Sequence, residues 1–504
     1  FVVIECKSST GSSGDCKPVD AAISQQLRNQ GSDEVPRLFH YAQLVMGLAV
    51  NEARYAVTGT PYEYWHRWRE RLFTEEQTET LTQARSAENI EELRTCLEQS
   101  DYRNNPSDWT EVEKYLTLCS DGRLPTEQDR LLLALCTPAR LLEITRWFNL
   151  FDEGVRKIAR YQQYFCVHKC LNTYQEHLPD GRRKGGIVWH TQGSGKSLTM
   201  VFQTEAVTRT FRDESPLVII VTDRVDLDQQ IKGTFTKVGM DVISARSGTH
   251  LETLLRESRS KVITTTVHKF DDFTRKNREA IDDDNIFVFV DEGHRTQTGS
   301  HHAAMRRALP KACLTGFTGT PILSGDKQTA LAFGGIIDTY TIKEAVADGA
   351  VVNLVYEGRY SQQHVDCDPI DTWLAHHTFS LTDEQVQQLK IQHSSHAALN
   401  DTKDRIWQQA RDISLHFKGV FQSVDIGAKA QLVTQSKAMA IRYHQALEEI
   451  DLVSSEVMIS GPDTREGHTK VDDSDKPLVQ QFWDEAMREY GSEKQYVDSV
   501  TRAF

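Results

Sequence analysis

Apolar residues along this chain come in short runs separated by turn-forming residues, and the spacing of the runs changes along it. Residues 1–6, FVVIEC, form a strand-like run. The Ser/Gly-rich stretch SSTGSSGD that follows reads as a flexible loop, and AAISQQLRNQ then returns to a helical pattern. LFHYAQLVMGLAV at 38–50 mixes the two periods and fits either strand or helix. From 127 to 174 the pattern predicts mostly helix, with a break at Pro138. Beyond it, short apolar strands alternate with helices: GIVWH, LVIIVT, KVITTTV, IFVFVDE and ACLTGFTG. That rhythm predicts a mostly parallel sheet with helices on both faces. A weaker echo, AKAQLVTQS and SEVMISG, predicts a second set of strands. The longest apolar runs are strand-sized, well short of the ~20 residues a membrane helix needs, so no membrane partner is expected.

Composition narrows this picture. A chain of 504 residues is too long for one core, and its length suggests about three domains. Nine cysteines without a CxxC pair point to reduced thiols and a cytoplasmic location. Cys166 and Cys170 share a helix face and read as packing. The net charge of −14 opposes wholesale adhesion to nucleic acid. Local basic grooves remain open to GRRK (181–184), RKNR (275–278) and MRR (305–307), although each alone reads as a solvated face. YEYWHRWRERLF (62–73) fits either stacking on bases or a packed aromatic helix.

Chemistry concentrates in two places on the strand–helix stretch. In GIVWHTQGSGKSLTM a strand enters a glycine-rich loop and then a helix starting near Lys196. Gly193, Ser194 and Gly195 let backbone N–H groups approach phosphate oxygens. Lys196 can reach the β/γ-phosphates of ATP, and the Ser197 hydroxyl can ligate Mg²⁺. The first position of this Walker A pattern, usually Gly or Ala, is His190. Further on, VFVDEGH ends an apolar strand where a parallel sheet presents its ligand edge. Asp291 there can hold Mg²⁺ and Glu292 can orient and deprotonate a water. A third stretch lies at the start of the chain: Glu5 and Lys7, two apart on a strand, point to one face while Cys6 points to the other. A carboxylate there can bind Mg²⁺ and the ammonium can assist an attacking water, although E-x-K alone also describes an ordinary ion pair.

The order of these motifs, with VTDRVDLDQQI between them and TGTP at 318–321 after them, resembles a superfamily 2 helicase. Gly293 stands where the DEAH form has Ala. The resemblance implies that Arg224, Thr318, Gly319 and Thr320 couple the nucleotide site to DNA. It also implies that Gln163, in RYQQY, reads adenine; without it, Gln163 is a surface-helix glutamine. KIARYQQYFCVHK, WHTQGSGKSLTM, VDEGHRTQTG, LTGFTGTPI and FGGIIDTYTIKEAVADGAVVNLVYEGR are together similar to the restriction and motor (R) subunit of type I restriction enzymes.

That resemblance implies an α/β fold: a partial PD-(D/E)xK nuclease-like domain with a helical extension at 1–128, a RecA-like motor domain with its helical bridge at 129–345, and a second, incomplete RecA-like domain at 346–504. Glu5 and Lys7 become nuclease residues, with Gln26 auxiliary and Gln30 standing where the family has Tyr. The partner nuclease Asp is expected before Phe1 and the late motor arginines after Phe504. The function implied is ATP-dependent translocation of double-stranded DNA and its cleavage away from a recognition site. ATP and Mg²⁺ are the implied cofactors. Modification (methyltransferase) and specificity subunits are the implied partners, in a bacterial or archaeal cytoplasm. Two other readings stay open: a stand-alone DNA or RNA helicase in repair, and a non-catalytic assembly subunit switched by nucleotide.

Overall fold

The computed structural model describes residues 1–8, 17–70, 126–223, 225–257, 262–275, 279–291, 300–320, 333–359, 382, 403–424, 427–462 and 475–503. It divides into two compact units, Phe1–Leu354 and Val355–Phe504.

The first unit opens with β1 (Val2–Cys6), followed by α1 (Pro18–Asn29), α2 (Pro36–Phe39), β2 (Leu44–Leu48) and β3 (Ala53–Ala56). β1 and β2 pair in parallel, with Glu5 opposite Gly47, and β3 pairs antiparallel to β2. Parallel neighbours need a crossover, and α1 supplies it, burying Val19, Ala22 and Ile23. Gly47 permits the close approach: a Cβ there would lie 3.0 Å from Ile23 Cγ1. The mixed-period stretch at 38–50 thus resolves into the end of a short helix and a fully buried strand.

Two helices follow, α3 (Glu127–Cys136) and α4 (Pro138–Trp147). α3 is capped reciprocally by Thr126 and Asp129, and Pro138 starts α4 at its first turn, where a missing N–H costs nothing. The expectation of helix through 174 fails next. Residues 149–158 form an antiparallel hairpin of β4 (Asn149–Asp152) and β5 (Val155–Ile158). The reason is local: Glu153 and Gly154 both have positive φ, 51° and 83°, a turn whose twist matches a two-residue hairpin.

Helix returns in α5 (Tyr161–Gln175), and the parallel sheet begins with β6 (Gly186–His190) and α6 (Lys196–Thr210). It continues through β7 (Leu217–Thr222), α7 (Val225–Lys237), β8 (Val242–Ser244), α8 (Gly248–Glu257), β9 (Val262–Thr266) and α9 (His268–Arg275). β10 (Ile286–Asp291), α10 (Ser300–Ala308), β11 (Cys313–Thr318), β12 (Ile336–Tyr340) and α11 (Ile342–Ala347) complete it. The seven strands lie in the order β12-β6-β11-β10-β7-β9-β8, every pair parallel. This is the RecA-like arrangement expected from the alternating rhythm. Both faces are covered, so the strands read as unbroken apolar runs rather than alternation. Ile187, Ile219, Ile263 and Val288 pack on one face, and Val188, Ile220, Phe287 and Phe317 on the other. The second face shares its core with Leu44, Met46 and Tyr55 of the small sheet, so the two sheets are one packed body.

The second unit holds α12 (Lys403–His416), α13 (Lys437–Ile450), α14 (Lys476–Tyr490) and α15 (Glu493–Ala503). The strands expected in AKAQLVTQS and SEVMISG are not formed among its described residues. Val457 and Ile459 are buried, as the apolar pattern requires. Their backbone groups turn to a side chain rather than a ladder: the Tyr496 hydroxyl accepts from the Ile459 N–H and donates to the Val457 carbonyl. Among the described residues no helix is long and apolar enough to cross a membrane.

Candidate nucleotide and nuclease sites

β6 is the second strand of the sheet, between β12 and β11, and the chain turns through 191–195 before entering α6. Gly193 and Gly195 take φ of 79° and 87°, a left-handed backbone that glycine adopts without steric cost. At Gly195 the Gln163 amide also approaches closely, 2.8 Å from where a Cβ would lie. The Ser194 hydroxyl is buried with no hydrogen-bond partner. Two left-handed glycines, a helix N-terminus and an orphaned buried hydroxyl make a cradle whose chemistry fits an anion such as a nucleotide phosphate. Lys196 Nζ lies 3.4 Å from the His190 carbonyl oxygen, at the mouth of this cradle.

β11 lies between β6 and β10, which brings the Thr-Gly-Thr segment beside the loop. A Cβ on Gly319 would sit 2.9 Å from Lys196 Nζ and 3.2 Å from the Gln192 backbone nitrogen. Thr318 is buried, and its Oγ1 accepts from the Thr320 N–H at 3.2 Å. Asp291 ends β10 half-buried, in register with Phe317 of β11. The three motif segments therefore converge on one sheet edge, as their sequence order predicts. Glu292 and Arg224 lie outside the described residues.

Gln163 reaches the same loop from α5. Its Oε1 accepts from the Arg160 N–H at 2.9 Å and its Nε2 donates to the Gly195 carbonyl at 3.2 Å. It is buried rather than a surface glutamine, and its amide holds the loop. Sequence reading missed the groups that brace this region from β12. His190 Nε2 lies 2.8 Å from Asp338 Oδ2, and Lys169 Nζ donates to Asp338 Oδ1 at 2.6 Å. Tyr161 and Tyr340 both donate to Asp348 Oδ2, at 2.5 and 2.9 Å. An available signal was the lone carboxylate in GGIIDTY, since a charge in an apolar strand needs a partner.

On β1, Glu5 and Lys7 share one face, as strand geometry requires, 2.9 Å apart and partly buried against α1. Lys7 also donates to Oε1 of the Gln25 side chain. Cys6 points the other way and is exposed. Gln26 is buried, and its Nε2 bridges the carbonyls of Val3 and Met46 at 3.2 Å each, tying β1 to β2. Its Oε1 is buried without a partner. The Glu5–Lys7 ion pair thus sits on the strand face that α1 covers, with the Gln26 amide nitrogen already committed to the backbone.

The basic candidates prove structural. Arg183 is buried, pairs with Glu214 and stacks 4.5 Å from the centre of the Phe211 ring. Arg306 donates to the Ala312 carbonyl at 2.7 Å. Arg183 contradicts the solvated-face reading, because its guanidinium lies over the Phe211 ring while its Nη atoms reach the Tyr174 carbonyl, Glu214 and Asn285. RKNR lies mostly outside the described residues. Cys166 and Cys170 are buried as expected, and burial pushes the Cys166 thiol well above its ordinary value.

Among its described residues, 62–70, the aromatic stretch after β3 is helical only in a short turn at Tyr62–Tyr64, and its two tryptophans pack inward. Trp65 and Trp68 are buried, with Trp68 against Tyr55 and Tyr164. Beside them His66 bridges to Tyr55 through its backbone, and its Nε2 accepts from Arg160 Nε at 3.0 Å. Burial, reinforced by the charges of Arg160 and Arg54, pushes the His66 imidazole down to about 3. The folded form keeps it neutral while the unfolded chain protonates it below about 6.5, so stability is full above that pH and is lost as pH falls toward about 3. Between pH 7 and 4.5 the wild type should lose roughly 2 kcal/mol more than His66→Gln, which keeps an acceptor for Arg160. Denaturant titration at the two pH values measures this. Equal acid losses in both proteins would show that His66 is not held neutral.

With this geometry in place, comparison with known proteins gives the class first. Residues 162–387 match the family described as SWI2/SNF2 ATPase, a span that holds Gln163, the glycine loop, Asp291 and the Thr-Gly-Thr segment. All seven strands of the parallel sheet lie within that span. A putative type I restriction enzyme MjaIXP endonuclease subunit of Methanocaldococcus jannaschii is 30% identical over 425 residues, covering 82% of this chain and 37% of the relative. The type I restriction enzyme HindI endonuclease subunit of Haemophilus influenzae is 32% identical over 341 residues, 62% of this chain and 32% of the relative. The chain is a homologue of the type I restriction enzyme endonuclease subunits. It spans about a third of the length of these two relatives, 37% and 32%. A solved nuclease-deletion mutant of the Type ISP restriction-modification enzyme LlaGI, in complex with a DNA substrate mimic, is similar at 16% identity and a TM-score of 0.31, covering 68% of this chain and 33% of that one.

Proposed function

We propose that this chain is the ATP-driven DNA translocase and endonuclease part of a type I restriction complex in a bacterial or archaeal cytoplasm. The observation that carries the reading is the convergence of Lys196, Gly319 and Gln163 on a loop of left-handed glycines at the sheet edge. Names of the relatives favour restriction over a stand-alone helicase. Intact Lys196, Ser197, Asp291 and Glu292 weigh against a non-catalytic switch subunit.

ATP with Mg²⁺, when bound, supplies the free energy of γ-phosphoryl release. The chain's own residues would do the following. Backbone N–H groups of 194–197 and the Lys196 ammonium neutralise phosphate charge, and Gln163 exchanges its bond to Gly195 for the adenine edge. Ser197 and Asp291 would hold Mg²⁺. Glu292 orients the attacking water and takes its proton. Thr318, Gly319, Thr320 and Arg224 pass the nucleotide state to bound DNA. In the nuclease part, Glu5 would hold Mg²⁺ and Lys7 offsets charge on the scissile phosphate, with Gln26 supporting their strand. We assign the nuclease and its helical extension to 1–128 and the motor domains to 129–345 and 346–504. Double-stranded DNA and the modification and specificity subunits are the proposed partners.

Glu292→Gln tests the order of events. In the full-length subunit with its partners, triplex displacement should fall by about 10²-fold or more, because the attacking water loses its base. Cleavage of a circular plasmid should fall with it, since cutting is taken to follow translocation. Plasmid cleavage at the wild-type rate by a variant that does not translocate would break the proposed sequence.

A further inference from the structure

We infer that His190, held by Asp338 and Lys169, is a positioning residue for the phosphate loop and for Lys196. The inference rests on the nucleotide reading above and adds a device that the Walker pattern does not contain. At the position usually held by Gly or Ala, this chain places a fully buried imidazole at the last residue of β6. Its carbonyl oxygen receives Lys196 Nζ at 3.4 Å, so the place of His190 sets the place of that ammonium.

Two elements fix His190 from outside the loop. β12 runs beside it, with Tyr340 in register with His190 and the Thr191 N–H donating to the Tyr340 carbonyl at 2.9 Å. Asp338 takes His190 Nε2 at 2.8 Å on one oxygen and Lys169 Nζ at 2.6 Å on the other. Burial raises the Asp338 pKa, but the hydrogen bonds and charges of His190 and Lys169 outweigh it and hold the carboxyl below its usual range. α5 carries both Lys169 and Gln163, so one helix braces the loop at its base through Asp338 and at Gly195 directly. A buried carboxylate that loses one of two partners is left under-compensated, and the strand end must shift to relieve it.

The same buried cluster offers a metal-like set, because the ligand atoms of Cys166, His190 and Asp338 lie within 4.8 Å of one another. One fact opposes an ion: the Lys169 ammonium already occupies one Asp338 oxygen.

The test uses the full-length subunit with its partners and DNA, measuring kcat and KM for ATP hydrolysis, with metal content and melting temperature alongside. His190→Ala should lower kcat by about 10²-fold with KM changed by less than about threefold, because misplacement of Lys196 is felt mainly in the transition state. His190→Gln keeps a donor for Asp338 and should recover at least about tenfold of that loss. Should His190→Ala fail to fold, Lys169→Met replaces a half-exposed side chain and should lower kcat by about tenfold. Unchanged kcat in either variant overturns the inference. So does a His190→Gln protein as slow as His190→Ala, which would mean that only ring packing matters. Stoichiometric zinc in the purified wild type would also overturn it, by making His190 a ligand. Lys196→Ala run in parallel separates the levels: hydrolysis surviving in that protein removes the nucleotide reading itself, whereas its loss leaves the His190 result to stand alone.

Discussion

Lys196→Ala is expected to reduce DNA-dependent ATP hydrolysis by about 10²–10³-fold while the protein still folds. Lys196 opens α6, half-buried beside the glycine loop, and its side chain belongs to neither apolar cluster of the parallel sheet. Removing it therefore costs little packing. What is lost is a positive charge held where phosphate charge develops, in a cradle whose other donors are backbone N–H groups at a helix start. The effect should fall mostly on kcat, since the left-handed glycines and the helix N-terminus still bind ground-state phosphates. Steady-state hydrolysis on DNA, with circular dichroism as the control for folding, measures it. A folded Lys196→Ala protein hydrolysing ATP at the wild-type rate would refute the phosphate-loop assignment.

The second large effect concerns cutting. Glu5→Ala or Lys7→Ala should abolish plasmid cleavage, a loss of about 10²–10³-fold or more, and leave ATP hydrolysis and triplex displacement within about twofold of wild type. The two side chains sit 2.9 Å apart on the face of β1 covered by α1, on a different sheet from the glycine loop. Their substitution removes a metal-binding carboxylate or a charge next to the scissile phosphate without touching the β6 edge. Packing adds a condition. The small sheet and the parallel sheet share one apolar core through Tyr55, Trp68 and Tyr164, so a change that disturbed that core would affect both activities. Glu5 and Lys7 lie outside it. Normal plasmid cutting by both variants would reduce FVVIECK to an ordinary strand and favour a stand-alone motor.

Much of the parallel-sheet domain was legible because its signals are local. A buried parallel strand is a continuous apolar run, and five of the seven could be read that way. β8, three residues long, and β12, with Asp338 in its middle, could not. The hairpin at 149–158 was hidden inside a helical pattern, because one Glu-Gly pair with positive φ outweighs the periodicity around it. In the second unit, apolar alternation at 457–459 correctly marked burial but not pairing, since a tyrosine hydroxyl takes the bonds a strand would have made.

The order of motifs along the chain determined the class of machine: a strand–glycine loop–helix, an Asp-Glu at a strand end, a Thr-Gly-Thr segment, each a short run whose chemistry depends on adjacent residues. Pair geometry on β1 was equally local, because two residues apart on a strand means the same face. Only the tertiary structure decided which of the charged residues turn inward to support the packing. Arg183 and Arg306 stand in runs that each read in sequence as a solvated face, yet in the fold Arg183 is buried over the Phe211 ring and Arg306 donates to the Ala312 carbonyl, because a guanidinium can cover an apolar ring while its N–H groups reach acceptors. His190, Lys169 and Asp338 are separated by 148 and 169 positions from carboxylate to imidazole and ammonium, yet meet within hydrogen-bond distance. No period or spacing encodes such a meeting. It exists because β12 returns beside β6 in the sheet and α5 lies across both, which places one buried carboxylate where only those two partners can satisfy it.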